Sequence, residues 1–372
     1  MGDLTRSSCD FVALASTGVR GLHPYQSGKP SDELERELGI SNIVKLASNE
    51  NPLGPSPLAL DAIQGGLTEL TRYPDGNGFA LKQALSEKHA IATNQITLGN
   101  GSNDVLELIT RAFAEPGREV IFSQYAFAVY PLATQSVNAT SVVTPAKNWG
   151  HDLEAMLAAI TEHTSIIFVA NPNNPTGTAL TRDEICDFLS RVPERVIVVL
   201  DEAYIEYNQG GNFPDGLTLL DEFSNLVVTR TFSKAWGLAG LRIGYSVSNA
   251  EIADVLNRVR QPFNANSLAL AAATAALSDN DYLAKSVDLN RRGMQQLVTA
   301  FERLGYDYIP SLGNFVCYDT KGSGVDVYQS MLQQGVIVRP VSNYGMERHL
   351  RVSVGLPEEN ARFIEVLESL TE

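Results

Sequence analysis

The sequence VVTRTFSKAWGLAGLRIGY (227–245) decides which fold and chemistry the rest of the chain has to support. It opens with a short apolar strand, passes through a Thr-x-Ser-Lys step and continues through small residues to Arg242. Lys234 has apolar and small residues on both sides, which is an unusual setting for a surface lysine. Burial lowers the pKa of a lysine, and the neutral amine is then a nucleophile that can form a Schiff base.

The polar residues around Lys234 suggest an anion site. The hydroxyls of Thr231 and Ser233 and the guanidinium of Arg242 could converge on a dianion such as a phosphate. A solvated loop lysine and a charge at a helix end would explain the same residues. A lone Ser-Lys pair favours that simpler explanation, so other parts of the chain must supply further evidence.

Length, composition and charge limit the function classes. A chain of 372 residues is long enough for two domains, and 44% hydrophobic with 19% charged residues is typical of a soluble globular protein. The formal net charge of −15 argues against nucleic acid and anionic membranes as partners, because both require a basic face. An acidic protein that binds phosphates must concentrate its cations locally.

The cysteines and histidines do not predict a metal site. The three cysteines are widely spaced and the five histidines show no ligand spacing, so free thiols in a reducing compartment are expected. The apolar patch 11–15 is too short for a membrane span, and Asp10 breaks the pattern of a secretory signal. We therefore expect a cytoplasmic protein.

A glycine-rich turn follows the apolar residues of ITLGNGSNDVLELITRAF (96–113). A strand ends in this turn and a helix begins at once, which presents free backbone N–H groups and the positive end of the helix dipole. Gly101, Ser102 and Asn103 are the predicted phosphate contacts, although such turns are often purely structural. The turn does not match the dinucleotide pattern, because Asp104 stands where the third glycine would be.

Two further apolar strands end in polar residues. IIFVANPNNPTG (166–177) ends in a Pro-Asn turn, and RVIVVLDEAYIEY (195–207) ends in Asp201, a carboxylate that needs a partner. Asp-Glu after a strand is also found in ATPases that bind magnesium, but the lysine-bearing phosphate loop of those proteins is absent. Strands alternate with helices from about residue 43 to 260. This pattern predicts an open parallel α/β sheet with its ligand at the carboxyl ends of the strands.

The chain divides into three parts in this interpretation. Residues 1–40 form an N-terminal arm, 41–262 a large ligand-binding domain, and 263–372 a smaller α+β domain on which the arm packs.

The run TFSKAWGLAG, with Arg242 eight residues beyond the lysine, resembles the lysine motif of the fold-type I pyridoxal-phosphate (PLP) aminotransferases. It is most similar to the branch that contains the histidinol-phosphate aminotransferases. Six motifs follow the order of that family between residues 49 and 242: NENP, RYPD, GNGSN, NPNNPTG, DEAY and TFSKAW with its arginine. The resemblance implies a large domain with a mostly parallel central sheet between helices, plus a smaller α+β domain.

The resemblance also implies a role for each matching residue around PLP. Lys234 would bond to the cofactor aldehyde and move the substrate proton, Asp201 would pair with the ring N–H, and Phe127 would stack on the ring, with Tyr125 and Tyr130 as near alternatives. The other implied cofactor contacts are those to the phosphate (Gly101, Ser102, Asn103, Thr231, Ser233 and Arg242), those to the 3′-oxygen (Asn174 and Tyr204), and Tyr73, which would cross from the partner of a homodimer.

For the substrate, the resemblance implies contacts from Tyr25, Asn49, Arg339 and Arg351. These residues favour L-histidinol phosphate with 2-oxoglutarate, giving imidazole-acetol phosphate and glutamate in histidine biosynthesis. An aromatic amino acid aminotransferase of the same branch is the alternative, followed by threonine-phosphate decarboxylase. A PLP-sensing regulator would need an added DNA-binding module, and Arg351 alone could be a surface charge on an edge strand.

Overall fold

The computed structural model describes residues 9–24, 28–208 and 212–370. The α-helices α1 to α14 span, in chain order, Phe11–Leu14, Thr17–Arg20, Ser31–Leu38, Pro57–Gly66, Phe79–His89, Ser102–Phe113, Val129–Ser136, Leu153–Ala158, Arg182–Arg191, Ala250–Val259, Ser267–Ala276, Asn280–Leu304, Gly324–Gln333 and Pro357–Ser369. The strands β1 to β15 span Val44–Lys45, Ile96–Gly99, Glu119–Ser123, Thr140–Thr144, Ala146–Lys147, Gly150–His151, Thr164–Ala170, Ile197–Asp201, Leu226–Thr231, Gly244–Ser248, Tyr308–Ile309, Phe315–Asp319, Val336–Ile337, Arg339–Pro340 and His349–Ser353.

The central sheet contains seven strands in the order β2-β10-β9-β8-β7-β3-β4. All of them run parallel except β10, which is antiparallel to both of its neighbours, β2 and β9. Strands β7, β8 and β9 are buried along their whole length, which explains their continuous apolar sequences. This architecture confirms the predicted α/β fold with a mostly parallel sheet.

The pleat of β7 supplies two separate cores. Ile166, Phe168 and Ala170 face a cluster that includes α6 and α7, whereas Ile167 and Val169 face a cluster built with α9. Helices therefore cover both faces of the sheet. The carboxyl ends of its parallel strands remain open at one edge, where a ligand can reach them.

The C-terminal part forms a second sheet with the order β11-β12-β15-β14, antiparallel throughout. Its core contains Phe301, Tyr318 and Phe363, contributed by α12, β12 and α14. In this sheet Arg339 of β14 lies directly opposite Arg351 of β15. The fold thus brings two arginines together that are twelve positions apart in the sequence.

The boundary between the two domains lies further along the chain than the predicted boundary between residues 262 and 263. Helix α11 packs against α4 and α5 in the core of the large domain. Its fully buried alanines allow this close approach, because they present little side chain (Ala269, Ala272, Ala273 and Ala276). Helix α12 spans the boundary: Leu283 packs on the large domain, and Leu297 lies in the core of the small domain.

The predicted arm also divides between the domains. Leu34 of α3 packs with Ala47 and with Leu332 and Ile337 of the small domain. Residues 17–20, which form α2, instead contact α7 of the large domain. Gly18 makes this possible: a Cβ atom there would lie 1.9 Å from the Gln135 carbonyl oxygen, and the Gly18 N–H donates a hydrogen bond to Asn138 Oδ1.

The described ranges contain three free cysteines and no group of three or more His, Cys, Asp or Glu side chains arranged to hold a metal ion. Cys9 is exposed, Cys186 is half-buried and Cys317 is buried. Across the same ranges, no helix combines the length and the apolar character that a bilayer span would require.

Candidate active site

A cavity of about 680 Å³ opens at the carboxyl edge of the central sheet and extends to the small domain. It brings together most of the residues that the sequence predicted for the site. Those that line it are Asn49, Ser102, Asn103, Phe127, Asn174, Asp201, Tyr204, Thr231, Ser233, Lys234, Arg242, Arg339 and Arg351.

Lys234 is the amine at the centre of this cavity wall. Its Nζ donates a hydrogen bond to the Ser48 carbonyl oxygen at 3.1 Å and lies 5.7 Å from the centre of the Tyr204 ring. Burial lowers the pKa of Lys234 to about 7, and the nearby charges of Arg351 and Arg242 also lower it, while Glu50 opposes the shift. A substantial fraction of the side chain is therefore a neutral nucleophile near neutral pH.

Asp201 ends strand β8 and is 5% exposed. Its Oδ2 accepts a hydrogen bond from the Tyr130 hydroxyl at 2.8 Å, and its Oδ1 accepts one from the Thr229 hydroxyl at 2.9 Å. Burial raises the pKa of Asp201, and the two hydrogen bonds partly offset that rise by stabilising the carboxylate. The side chain is therefore oriented on two sides and can still pair with a cationic group in the cavity.

The start of α6 forms a narrow cradle. Gly101 has φ +82°, and a Cβ atom there would lie 2.5 Å from Arg242 Nη2. A Cβ atom on Gly244 would lie 2.4 Å from the Ser102 nitrogen. Both glycines thus let the guanidinium and the free N–H groups of the helix start approach the same space, which is a favourable arrangement for an anion.

The hydroxyls predicted beside this cradle are present on the same wall. Arg242 Nη1 lies 3.4 Å from Ser233 Oγ and 3.0 Å from the Ala239 carbonyl oxygen. The Ser233 N–H donates to Thr231 Oγ1 at 3.1 Å, which fixes the loop between β9 and Lys234. Two hydroxyls, a guanidinium and a helix start therefore surround one position, and this donor set fits a phosphate dianion.

The aromatic residues after β3 have three different surroundings. Phe127 lines the cavity, whereas Tyr130 is fully buried, stacks on Phe168 with ring centres 4.5 Å apart and holds Asp201. Tyr125 packs against Trp149 with ring centres 5.3 Å apart. This arrangement favours Phe127 among the three candidates for stacking on a ring, and that role stays a prediction.

Asn49 and Tyr204 form one polar pair on the wall. Asn49 Nδ2 donates to the Tyr204 hydroxyl at 3.0 Å, and Ser353 Oγ donates to Asn49 Oδ1 at 2.9 Å. Burial is the main cause that raises the pKa of Tyr204 to about 12, so its hydroxyl keeps its proton and remains a donor. The N-terminal NENP segment, the DEAY segment and strand β15 are thereby joined at the cavity.

Arg351 provides the cationic end of the cavity. Its Nη1 donates to Asn174 Oδ1, its Nη2 donates to the Ala47 carbonyl oxygen at 2.8 Å, and its guanidinium carbon lies 5.3 Å from the centre of the Phe315 ring. Within the part of the chain that the structure describes, its buried Nε has no hydrogen-bond partner. Arg339 lies directly opposite it in the sheet, so two guanidinium groups lie at this end of the cavity.

One predicted residue, Tyr73, lies outside this cavity. It is 82% exposed and stacks on Phe263 with ring centres 4.8 Å apart. Tyr25 lies outside the residues that the structure describes. Gly101 is not in the wall itself but limits the position of Arg242.

A buried ion pair behind Asp201 was not predicted from the sequence. Glu202 accepts hydrogen bonds from Arg230 Nε at 3.0 Å and Nη2 at 2.7 Å, and from the Gly216 N–H at 2.7 Å. Arg230 Nη2 also donates to Asp215 Oδ1 at 2.6 Å. An arginine in the apolar run of β9 was the only sequence signal for this network.

Comparisons with known proteins show the family of the chain. The family model for aminotransferase class I and II matches residues 41–367. Histidinol-phosphate aminotransferase 2 of Pseudomonas fluorescens (strain Pf0-1) is 61% identical over 365 residues, 98% of this chain and 99% of that protein. Histidinol-phosphate aminotransferase 1 of Nitrosococcus oceani is 59% identical over 362 residues, 97% of this chain and 98% of that protein.

Among solved structures, the chain is similar to the histidinol-phosphate aminotransferase from Sinorhizobium meliloti in complex with pyridoxal-5′-phosphate. The TM-score is 0.85 at 29% identity, over 95% of this chain and 98% of that one. A single mutant of the Thermus thermophilus aspartate aminotransferase has a TM-score of 0.82 at 23% identity, with coverage of 96% and 98%, and shows the same fold.

Proposed function

This chain belongs to the class I and II aminotransferase family, and from that premise we propose that it transfers the amino group of L-histidinol phosphate to 2-oxoglutarate. The products are imidazole-acetol phosphate and glutamate, and the reaction serves histidine biosynthesis. The observation that carries the proposal is the pair Arg339 and Arg351 at one end of a cavity that also holds a neutralised lysine.

The enzyme uses pyridoxal phosphate, the cofactor in the similar Sinorhizobium meliloti structure. The residues present fit this group: the glycine cradle at the start of α6 suits its phosphate, Asp201 its ring nitrogen and Lys234 its aldehyde. When bound, the cofactor supplies an electron sink that makes the carbon bearing the substrate amine acidic.

The protein's own groups perform the remaining work. Lys234, with its lowered pKa, accepts the proton from the substrate carbon that bears the amine and returns it as a general acid. Asp201, kept in place by Tyr130 and Thr229, keeps the cofactor ring nitrogen protonated. Asn174 and Tyr204 line the wall beside them and supply donors for the 3′-oxygen of the ring.

The arginine pair orients the substrate. A guanidinium fork binds two oxygens of a phosphate or a carboxylate, so the same place accepts histidinol phosphate in one half-reaction and glutamate in the other. The unpartnered Nε of Arg351, buried beside the cavity within the described chain, is a further donor for such an anion. An aromatic amino acid aminotransferase remains the alternative, because a carboxylate would also satisfy the fork.

Steady-state kinetics with both donors test the substrate. We expect kcat/KM with 2-oxoglutarate to be higher for histidinol phosphate than for phenylalanine, and a preference for phenylalanine would overturn the proposal. Arg351→Lys should lower kcat/KM for histidinol phosphate about 10- to 100-fold, since the bidentate contact is lost. Arg348→Lys is the matched control, because Arg348 is exposed and pairs with Asp319 away from the cavity.

The cofactor site has its own test. The purified protein should absorb in the near-visible range, and Lys234→Ala should abolish that band. Lys88→Ala is the control, because Lys88 is exposed and lies over Trp236 outside the cavity. An unchanged spectrum of Lys234→Ala would remove Lys234 from its role.

We further propose that the active enzyme is a cytoplasmic homodimer in which Tyr73 reaches the cofactor phosphate of the partner. In support, Tyr73 is exposed and stacks on the exposed ring of Phe263, and further apolar side chains close to Tyr73 in the sequence are exposed as well (Leu67, Leu70 and Phe79). Exposed large apolar side chains favour burial against a second copy. The three free thiols favour a reducing compartment.

A further inference from the structure

The cavity extends beyond the arginine pair and the lysine, along the large domain. There its wall is formed by α6, α7 and the segment around α2. The apolar residues of this part are Val19, Leu22, Val129, Leu132 and Ala133. We call this part the ring compartment, and its apolar lining suits a planar ring.

One carboxylate faces the ring compartment. Glu107 lines the cavity from α6, one helical turn beyond Asn103 on the same helix face. Asp201 is the other carboxylate in the wall, and both of its oxygens accept hydrogen bonds from Tyr130 and Thr229.

The carboxylate of Glu107 is not engaged elsewhere. Within residues 9–24, 28–208 and 212–370 it makes no hydrogen bond and no ion pair. Asp104, the neighbouring acid of α6, is different: its Oδ2 accepts hydrogen bonds from the Asn100 N–H and from Asn264 Nδ2 at 2.8 and 2.7 Å. Asp104 fixes the start of the helix, whereas Glu107 is free to accept a donor from the cavity.

The substrate geometry directs the third substituent toward this carboxylate. The following step rests on the proposed function. When a phosphate is bound by Arg339 and Arg351 and the substrate amine reaches Lys234, the remaining substituent points away from the arginines, along the large-domain wall. That substituent is an imidazole in histidinol phosphate, and its ring N–H needs an acceptor once it leaves water.

We infer that Glu107 is a specificity-determining residue that accepts a hydrogen bond from the imidazole N–H of the substrate in the ring compartment. Glu107 is exposed in the open cavity, so water solvates its carboxylate there. A phenyl ring that entered the compartment would displace this water and, having no N–H, would offer the carboxylate no donor in its place. A site with a polar group that only one ligand satisfies discriminates more strongly than an apolar pocket does. Glu107 therefore selects an imidazole over a phenyl ring of similar size.

Two non-reactive probes test this inference without turnover. They are 3-(imidazol-4-yl)propyl phosphate and 3-phenylpropyl phosphate, which lack the amine and differ in the ring. Calorimetry on the holoenzyme should give a Kd for the imidazole probe that rises about 10- to 100-fold in Glu107→Leu, with the phenyl probe unchanged or tighter. Glu107→Gln keeps an acceptor without the charge and should give a smaller loss.

Kinetics supply the second readout and the controls. Glu107→Leu should lower kcat/KM for histidinol phosphate chiefly through KM and leave phenylalanine turnover intact, which also shows that the variant is folded. Glu115→Gln, an exposed acid just beyond the end of α6, is the matched control. If the Glu107 variants keep the wild-type ratio of the two probes, the inference is overturned. If the wild-type enzyme does not turn over histidinol phosphate at all, the proposed function itself has failed.

Discussion

Among single residues, Tyr130 stabilises the charged form of the Asp201 carboxylate. The Tyr130 hydroxyl is one of two donors to that buried carboxylate, the other being Thr229. We expect Tyr130→Phe to weaken cofactor binding about tenfold and to lower kcat/KM, because a charge-assisted hydrogen bond contributes about 1.5–3 kcal/mol and part of it is recovered by relaxation. Titration of the apoprotein with pyridoxal phosphate measures this. Tyr125→Phe, which leaves Asp201 untouched, should bind the cofactor like wild type, and equal affinities of both variants would contradict the prediction.

Lys234 gives the site a defined pH dependence. Its pKa is lowered from 10.5 to about 7, so the folded protein holds the neutral amine above about pH 7, whereas the unfolded chain stays protonated up to about pH 10.5. The rate at which apoprotein reacts with pyridoxal should therefore rise with pH to a plateau, with a midpoint near 7. Pyridoxal is used because it has no phosphate that titrates in the same range. Stopped-flow absorbance checks this, and a rate that keeps rising tenfold per pH unit up to pH 10 would exclude a lowered pKa.

The same shift has a consequence for stability with a definite sign. Between about pH 7 and 10.5 the unfolded state binds one proton more at this position than the native state does. Stability from this group therefore rises with pH across that window and is lowest below it, where the buried amine must carry its charge.

The residue scale also shows what a sequence can and cannot identify. Lys234 and Asp201 were predictable because each follows a buried apolar strand and has no other reason to be there. Tyr130 was not, since three aromatics lie within six positions and their directions depend on where α7 begins. Glu107 was missed because a glutamate on an amphipathic helix looks like an ordinary solvent-facing residue.

At the scale of elements, the ion pair between β8 and β9 stabilises the strands that carry the site. Arg230 and Glu202 are 4% and 0% exposed. We expect Arg230→Met to destabilise the protein by about 3–5 kcal/mol, because Glu202, whose pKa burial already raises to about 7, would lose its partner and would be buried either as an uncompensated charge or at the cost of taking up a proton. Urea denaturation measures the change. The double variant Arg230→Met with Glu202→Gln should recover much of the loss, and a double variant as unstable as the single one would argue against an uncompensated charge.

A surface pair provides the control for that measurement. Arg258 and Asp254 are one turn apart on α10 and both are exposed. Arg258→Met should change the free energy of unfolding by about 0.5 kcal/mol or less, because water and ions screen such pairs.

The sequence predicted the secondary-structure elements well, but not which elements pack against one another. The helix expected after the glycine-rich turn is present as α6, Ser102–Phe113. The alanine-rich α11 was assigned to the small domain, since composition predicts a helix but does not say which surface it packs on. The hairpin of β5 and β6 was missed because its turn residues, Asn148 and Trp149, lack the glycine that usually marks such a turn, although both have positive φ.

At the scale of the whole molecule, a shared site predicts complementation between inactive subunits. Lys234→Ala lacks the amine, and Tyr73→Ala lacks the side chain proposed to reach the partner. A heterodimer of the two has one site with both residues intact, and random exchange makes half of all dimers heterodimers. We expect a refolded equimolar mixture to recover about a quarter of wild-type activity per subunit.

The control for this experiment keeps the variants apart. The same proteins assayed without exchange should stay inactive, and sedimentation should give a dimer for each. Mixtures without recovered activity, from variants that do exchange, would place Tyr73 outside the shared site. The sequence of one chain could not show whether Tyr73 reaches the partner subunit. In the structure its ring stacks on Phe263 at the surface.

The hydrogen bonds that Arg351 makes to the protein determine which salts should inhibit the enzyme. Its planar guanidinium already donates to the amide oxygen of Asn174 and to the carbonyl oxygen of Ala47. An anion that binds there must therefore displace these protein oxygens and not merely water. A chloride ion is a single acceptor, so it replaces the two protein oxygens poorly. An oxyanion offers two oxygens at the spacing of the fork. The enzyme should accordingly tolerate high chloride concentrations while inorganic phosphate and sulfate compete with its substrate.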